Sequence, residues 1–284
     1  MGTIISISSQ VVRGHVGNSV TVFVCQRLGH DVWPVNTVIL PFHPGYGPAR
    51  RIVTAPDDLA AALNAIGEKG FLSEIDAVVS GYLAGAGQAE AVAALVGQVK
   101  AANSKALYLC DPILGDDGAI YVSGDVAQAV REQLVPLADI LTPNLFELGL
   151  LTDTAPQDAP AVLAACTKLA AKRCLVTSVP AFLAGSIASL LATRQGGLLA
   201  QTRHLDNVPK GTGDTLAALF LSHLLNGASD EQALERASSS LFDLLARTVK
   251  QGRDELALIG EQDALARSLA PVSMHRLPPA TVSA

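Results

Sequence analysis

The sequence has few cysteines, few aromatic side chains and few charges. Its four cysteines form neither a CxxC pair nor a His/Cys cluster with zinc-finger spacing, so buried and reduced thiols are expected. Charged residues make up only 16% of the chain and the formal net charge is −6, which argues against a general surface for nucleic acid or anionic membranes. The most apolar window, 176–192, is interrupted by Pro180, Gly185 and several serines, which excludes a membrane span there.

Two common nucleotide-binding fingerprints are also missing. The chain contains no G-x-x-x-x-G-K-[ST] loop and no G-x-G-x-x-G loop, so neither a P-loop nor a dinucleotide fingerprint is present. Its first residues lack the charged segment and cleavage site of a secretion signal, and a cytoplasmic location is therefore expected. Hydrophobic residues make up 49% of the 284 residues, which is enough for a substantial core.

Short apolar runs alternate with amphipathic stretches along most of the chain. Strands are predicted at 3–8, 32–38, 77–80, 106–110, 139–141, 174–177, 187–193 and 198–204, the last two as a hairpin. Helices are predicted at 18–28, 56–69, 88–102, 126–134, 161–171, 215–225, 230–250 and 261–268. Asn18 is predicted as the N-cap of the first helix, and Gly29 follows its end. This alternation predicts an α/β fold in which helices cover both faces of a mostly parallel sheet.

The chain shows no internal repeat and no long linker. Residues 1–270 are therefore expected to form a single domain, and residues 271–284, which include three prolines, a flexible C-terminal tail. In an open parallel sheet a ligand lies beyond the carboxyl ends of the strands, so the polar residues that follow strands are the candidates for function.

The strongest candidate is the segment 210–215 (KGTGDT), directly before an apolar helix. Gly211 and Gly213 allow a tight turn whose amides, with that of Thr212, converge beside the positive end of the helix dipole. Such a turn could hold a phosphate during transfer, with Asp214 beside it as a base for an attacking hydroxyl. A glycine turn whose aspartate only stabilises the helix start would give the same letters, so the other motifs have to decide.

Two acids follow other predicted strands. Asn144 and Glu147 form a capping-box pattern, which is often purely structural, but the pair could also order Mg²⁺ waters against nucleotide phosphates. Asp111 leaves the strand 106–110 before a proline and glycine turn, where an aspartate is as often a simple turn former. Because parallel strands share one carboxyl edge, both acids are expected near the 210–215 turn.

Glycines and rings follow the remaining strands. Gly14 and Gly17, in the segment 8–18, let a ligand approach the backbone closely. His43 and Tyr82 offer an imidazole edge and an aromatic face that a flat heteroaromatic substrate would use, although ordinary loop packing would explain them too.

Taken together, these motifs resemble those of the pyridoxal kinases in the ribokinase-like superfamily. The matching segments, in the family's order, are SQVVRGHVGN (9–18), WPVNTV (33–38), His43 and Tyr46, VSGYL (79–83), CDPILG (110–115), TPNLFEL (142–148) and GTGD (211–214). The resemblance implies a ribokinase-like three-layer sandwich without a separate lid domain. It further implies transfer of the ATP γ-phosphate to the 5′-hydroxyl of pyridoxal, which makes pyridoxal 5′-phosphate. ATP, Mg²⁺ with a monovalent cation such as K⁺, and a homodimer without nucleic-acid or membrane partners would be expected.

The resemblance also implies a role for each matching residue. Asp214 would be the catalytic base, with Gly211, Thr212 and Gly213 as the anion hole. Pyridoxal would contact Ser9, His43, Tyr82 and Asp214. The nucleotide would be faced by Asp111, Thr142, Asn144, Glu147 and Thr177, and a metal ion would be held by Asp111 and Glu147 through water.

The chain departs from the family pattern near the substrate. Pro44 stands where the family often has threonine, 39–42 (ILPF) replaces Gln-Phe-Ser-Asn, and the segment 203–210 is short, so contacts to the adenine base are unassigned. Pyridoxine and pyridoxamine remain alternative substrates. A hydroxymethylpyrimidine kinase, whose loop commonly ends in Cys where Asp214 stands, and a sugar kinase, which would carry a lid insertion, are weaker alternatives. So is a non-catalytic binder of B6 vitamers, which would need no base.

Overall fold

The computed structural model describes residues 1–116 and 118–280. Its strands are β1 (Thr3–Val11), β2 (Asp31–Leu40), β3 (Ile52–Val53), β4 (Ala77–Ser80), β5 (Leu107–Cys110), β6 (Gly115–Asp116), β7 (Ala119–Ile120), β8 (Ile140–Leu141), β9 (Arg173–Pro180), β10 (Ser186–Thr193), β11 (Gly196–Arg203) and β12 (Ser273–Leu277). Its helices are α1 (Asn18–Arg27), α2 (Pro56–Glu68), α3 (Ala86–Ala102), α4 (Gly124–Ala129), α5 (Leu145–Thr152), α6 (Ala159–Cys166), α7 (Thr212–Leu225), α8 (Asp230–Lys250) and α9 (Asp263–Arg267).

One large sheet carries the fold, in the order β12-β11-β10-β9-β8-β5-β4-β1-β2-β3. The strands from β2 to β9 pair in parallel, while β3 and the run β10 to β12 pair antiparallel. The predicted hairpin is confirmed as β10 and β11, which pair from Ser186↔Arg203 to Thr193↔Gly196. Strands β6 and β7 form a separate small hairpin.

Helices cover both faces of the sheet because the strand residues alternate between two apolar clusters. Along β1, Ile5 and Ile7 pack with the side of α2 to α6, and Ile4 packs with the side of α1, α7 and α8. All three isoleucines are fully buried, and each contributes about 1.5–3 kcal/mol of apolar burial. In the described part of the chain no helix combines the length and apolarity needed to cross a membrane.

The start of α1 differs from the prediction that Asn18 caps it. The N-cap is Gly17, at φ +55°, and Asn18 is fully buried inside the first turn. Its side-chain nitrogen Nδ2 donates to Val35 O at 3.0 Å and to Asn36 Oδ1 at 2.8 Å, while its Oδ1 accepts from the Ser6 hydroxyl at 2.8 Å. Asn18 therefore bonds to tertiary partners on β1 and β2 instead of capping its own helix, and these bonds fix α1 against the middle of both strands.

The C-terminal segment also differs from the expected flexible tail. Ser273–Leu277 forms β12, whose residues pair with Gly197 to Gln201 of β11. The proline-rich flanks suggested fraying, but the exposed edge of β11 supplies backbone partners that a local pattern does not reveal. Residues 281–284 of that predicted tail lie outside the described residues.

A buried carboxylate ties three central strands together. Asp139, just before β8, accepts hydrogen bonds from Lys100 at 2.7 Å, Lys172 at 2.9 Å and the Tyr108 amide at 3.0 Å. Burial alone would raise the pKa of Asp139, but these donors outweigh it and lower the pKa. The group thus holds β5, β8 and β9 in register at the end of the sheet opposite the site.

Candidate active site

The turn before α7 is built around one glycine. Gly211 has φ +95°, and a Cβ placed there would stand 2.0 Å from the carbonyl oxygen of His15. Its own carbonyl accepts from the Thr215 amide at 3.0 Å and the Thr215 hydroxyl at 2.6 Å. The turn is thereby closed onto the first helical turn and pressed against the loop that follows β1. A Cβ at Gly213 would meet no described atom within 4 Å, so that side of the turn is open.

Asp214 lies in the first turn of α7, as predicted. Burial raises the pKa of its carboxyl to about 6, and the backbone amide of Gly17 opposes that rise. Near neutral pH the group is ionised, yet its proton affinity is high enough for it to act as a base. Gly17 belongs to the loop after β1, so this loop and the α7 turn meet at the carboxylate.

Asp111, at the end of β5, is a charged neighbour of Asp214. Burial raises the pKa of Asp111 well above its usual range, and the negative charges of Asp214 and Glu147 raise it further. Contact with the side chain of Thr142 works in the opposite direction. The sheet therefore gathers three acids from β5, α5 and α7 at one edge, as predicted from the shared carboxyl ends of the strands.

Glu147 and Asn144 form the predicted capping box at the start of α5. The Asn144 amide donates to Glu147 Oε2 at 2.9 Å, and the amides of Leu114 and Gly115 donate to Oε1 at 2.7 and 3.3 Å. Burial raises the pKa of Glu147 to about 7 despite these donors. Backbone amides engage both carboxylate oxygens and hold Glu147 in one orientation at the start of α5.

The donor set at this edge fits Mg²⁺ held mainly by water and phosphate. Mg²⁺ usually takes one or two protein carboxylates plus phosphates and keeps several waters. Within residues 1–116 and 118–280 no group of three or more His, Cys, Asp or Glu side chains could enclose a metal. Asp111, crowded by like charges, is the carboxylate that a cation would relieve.

A second group of predicted residues lines a cavity between the sheet and α7. Thr177 of β9 and Thr212 and Gly213 of the turn share this cavity, whose far wall is formed by Leu241, Phe242 and Leu245 of α8, with Ser238 beside them. Thr177 also donates its amide to Pro143 O at 3.0 Å and forms a parallel bridge with Asn144. Thr177 thus links this cavity to the strand end that carries Asn144, and another part of the cavity is lined by Thr212 and Gly213 of the turn 211–213, called the anion turn below.

Ser9 and Tyr82 lie at the ends of adjacent strands. Ser9 is buried and lies against Gly17, since a Cβ at Gly17 would come within 2.5 Å of Ser9 Oγ. The Tyr82 amide donates to the Ser8 hydroxyl at 3.2 Å, and its phenol oxygen lies 3.3 Å from an Arg51 nitrogen. Both residues are therefore held beside the loop that faces Asp214.

His43 lies on a different wall. Its Nδ1 accepts from the Gly45 amide at 3.0 Å, which caps the short turn Pro44–Tyr46. Burial lowers the pKa of His43, the charge of Lys210 lowers it further, and Glu255 opposes both. The imidazole is thus exposed to the charge of Lys210, which precedes the anion turn, and to that of Glu255 in the loop after α8. Among the described residues no hydrogen bond joins it to Ser9 or Tyr82.

Three contributors were not found in the sequence as parts of the site. Glu255 accepts hydrogen bonds from the His15 amide, in the loop after β1, and from the Tyr46 hydroxyl, in the turn after His43. Ser238 lines the cavity, and Asp116 in the β6–β7 hairpin lies 3.6 Å from the Lys210 ammonium. Ser238 and Glu255 follow no strand, so the rule that places sites at strand ends could not select them.

The fold and these motifs can be compared with known proteins. The family model described as phosphomethylpyrimidine kinase matches residues 54–258. Pyridoxal kinase PdxY of Rubrobacter xylanophilus is 42% identical over 92% of this chain and 93% of its own length. The corresponding protein of Leifsonia xyli subsp. xyli is 39% identical over 96% of this chain and 99% of its own length. The chain belongs to the pyridoxal kinase family.

Solved structures support the same assignment. A pyridoxal kinase from Leishmania donovani, in complex with ADP and pyridoxamine, has a TM-score of 0.91 and 26% identity and covers 98% of this chain. A second structure of the Leishmania enzyme contains ADP and pyridoxine, with 27% identity. The α/β sandwich without a separate lid domain, predicted from the sequence, is thereby confirmed for this pyridoxal kinase family member.

Proposed function

We propose that this protein transfers the γ-phosphate of ATP to the 5′-hydroxyl of pyridoxal and so makes pyridoxal 5′-phosphate. The observation that carries the proposal is the placement of Asp214 beside the Gly211 turn, with a pKa raised to about 6 by burial. A pure binder of the vitamin would need no such base next to an anion-binding turn. Membership of the pyridoxal kinase family supports the substrate class.

In the proposed mechanism Asp214 accepts the proton of the substrate hydroxyl as the hydroxyl oxygen attacks the γ-phosphorus of ATP. The bond from that phosphorus to the bridging oxygen breaks, and ADP leaves. The amides of Gly211, Thr212 and Gly213, at the positive end of α7, stabilise the charge on the phosphoryl group in transit. Phosphoryl transfer depends mostly on positioning and charge, so a fixed turn and one base are sufficient protein chemistry. Ser9 and Tyr82 orient the pyridoxal ring from one side and His43 from another.

We propose that the nucleotide lies along the cavity lined by Thr177, Thr212 and Gly213, with its base against Leu241 and Ser238. The apolar side chains of α8 supply an apolar wall against which a purine can pack. The Ser238 hydroxyl is buried there without a hydrogen-bond partner in the described part of the chain, which suits a donor or acceptor on the base. Asn144 and Thr142 then face the phosphates.

Mg²⁺ would be held by Asp111 and Glu147 through water, and it would neutralise charge on the phosphates. A monovalent cation such as K⁺ is proposed alongside it. We further propose that the enzyme is a homodimer and works in the cytoplasm, where its four buried, unpaired cysteines would stay reduced. Light scattering of the purified protein tests the dimer.

The deciding experiment is ATP-dependent phosphorylation by the purified protein, with pyridoxal, pyridoxine, pyridoxamine, hydroxymethylpyrimidine and ribose in parallel. We expect pyridoxal to be preferred, and Asp214→Asn to lower turnover by roughly 10²–10⁴-fold while the thermal unfolding curve is retained. Omission of Mg²⁺ and of K⁺ in separate reactions tests each cation.

Two outcomes would overturn the proposal. Tight pyridoxal binding without phosphorylation under any metal would identify a binder, and faster turnover of hydroxymethylpyrimidine would move the assignment to that kinase. Near-wild-type turnover by Asp214→Asn would remove Asp214 as the base.

A further inference from the structure

Away from the acids at the sheet edge, one polar cluster joins three loops that are distant in sequence. It consists of Arg13, Tyr46, Asp254 and Glu255, and is called the clasp below. Arg13 donates to Asp254 at 2.6 Å and to Glu255 at 3.3 Å, and its guanidinium carbon lies 4.8 Å from the centre of the Tyr46 ring. The Tyr46 hydroxyl donates to Glu255 Oε1 at 2.9 Å.

Glu255 is the centre of the clasp. Its side chain is 12% exposed, against 52% for Arg13 and 65% for Asp254. Its second oxygen lies 3.3 Å from the His15 amide, so one carboxylate engages donors from two separate loops. A surface ion pair is worth little, but a nearly buried carboxylate with three donors holds its partners much more firmly.

The clasp is continuous with the anion turn. The carbonyl of His15, whose amide faces Glu255, is the atom that a Cβ on Gly211 would strike. The side chain of Leu256, next to Glu255 in sequence, would lie 3.4 Å from that same Cβ. Gly211 therefore packs against two loops: the loop after β1, which Glu255 binds through His15, and the loop after α8, which contains Glu255 and Leu256.

The clasp also reaches the proposed pyridoxal side. Tyr46 ends the short turn that His43 caps through its Nδ1, so the Tyr46–Glu255 bond fixes the turn that carries the imidazole. The charge of Glu255 raises the pKa of His43 and that of Lys210 lowers it, so both charges act on the imidazole that this turn carries. One carboxylate thus touches the loop beneath the anion turn and the turn that presents His43.

We propose that Glu255 is a positioning residue for phosphoryl transfer: it fixes the His43 turn relative to Gly211, and so sets the distance between the vitamin ring and the transferred phosphate. This inference rests on the proposed function. Glu255 does not itself contact substrate. Its loss should therefore raise KM for pyridoxal and lower kcat, while KM for ATP should be unaffected because no residue of the clasp lines the ATP cavity.

The test compares Glu255→Gln and Tyr46→Phe with a matched control, Glu261→Gln. Glu261 also accepts two side-chain hydrogen bonds, from Arg247 at 3.0 Å and Gln251 at 2.7 Å, but lies outside the clasp. For Glu255→Gln we expect KM for pyridoxal to rise and kcat to fall by about 10-fold each, since one or two charge-assisted bonds are weakened. Tyr46→Phe, which removes one hydroxyl, should raise the same KM by about 3–10-fold.

In both variants KM for ATP should stay within about 2-fold and the unfolding midpoint within about 3 °C, because the cavity and core are untouched. Unchanged kinetics in both variants would overturn the proposal. So would a parallel change in both KM values and the midpoint, or an equal effect of Glu261→Gln, since each would indicate a purely structural contact. The wild-type protein is assayed alongside, and its failure to phosphorylate pyridoxal would refute the proposed function instead.

Discussion

Replacement of Gly211 by alanine tests the geometry of the anion turn most directly. The new Cβ would stand 2.0 Å from the His15 carbonyl oxygen at φ +95°. The left-handed conformation costs a non-glycine residue about 1–2 kcal/mol, and relieving the overlap costs about 1–3 kcal/mol more. Because the obstacle is backbone, no side-chain rotation can remove it, and the turn or the loop after β1 must shift.

Gly213→Ala is the control within the same turn. Its Cβ would meet no described atom within 4 Å, and the residue lies in the first turn of α7, where alanine is preferred to glycine by about 1 kcal/mol. Thermal unfolding should therefore show a midpoint about 5–15 °C lower for Gly211→Ala, and unchanged or slightly higher for Gly213→Ala.

Steady-state kinetics complete the comparison. A shift of about 1 Å in the amides that face the phosphate should lower kcat of Gly211→Ala by about 100-fold. Equal unfolding midpoints for the two variants, or wild-type turnover by Gly211→Ala, would refute the reasoning that backbone packing against His15 sets the turn.

Three further predictions concern single groups. The pH profile of kcat/KM should lose activity as the pH falls through about 6, because Asp214 must be ionised to accept a proton, and this acid limb should be absent in Asp214→Asn. Asp139→Asn should destabilise the fold by about 1–3 kcal/mol in urea unfolding at neutral pH. Because folding lowers the pKa of Asp139, the carboxylate stabilises the fold fully at pH values above its pKa in the unfolded chain, and this stabilisation is lost as the pH falls through its pKa in the folded protein. An unchanged urea midpoint for Asp139→Asn would contradict this role. Ser238→Ala should leave the unfolding midpoint unchanged or raised, since its hydroxyl has no described partner, while KM for ATP rises by about 3–10-fold; an unchanged KM would remove Ser238 from the base site.

Periodicity predicted most of the sheet and its helices, since apolar runs alternate with amphipathic stretches from β1 to α8. The missed elements include helix α5, of which only the capping box was predicted, and short strands with remote partners. Ile52–Val53 pairs with Val38 and Ile39 of β2, and the β6–β7 hairpin has two residues in each strand. Runs this short carry no alternation to detect, and their stability comes from strands that they join only after folding.

The candidate site likewise contains residues that local sequence patterns predict and residues that only tertiary contacts bring to it. Asp111, Glu147 and Asp214 could be expected together, because each follows a strand or begins a helix at the shared carboxyl edge. Glu255 could not, since an Asp-Glu pair in a loop after a long helix ordinarily indicates a solvated turn. Its low exposure and its three donors depend on two other loops, and only tertiary structure brings them to it.

The residues that react and the residues that align the two substrates lie in different parts of the site. The acids at the sheet edge carry charge and proton affinity, and their positions follow from strand ends that many sequences could supply. The distance between the two substrates depends instead on the backbone contact of Gly211 with His15 and on the hydrogen bonds of Glu255. Changes at Asp214 should therefore act on turnover, whereas changes at Glu255 should act on turnover and on KM for the vitamin without altering KM for ATP. The relative size of these kinetic effects distinguishes a residue that reacts from one that aligns.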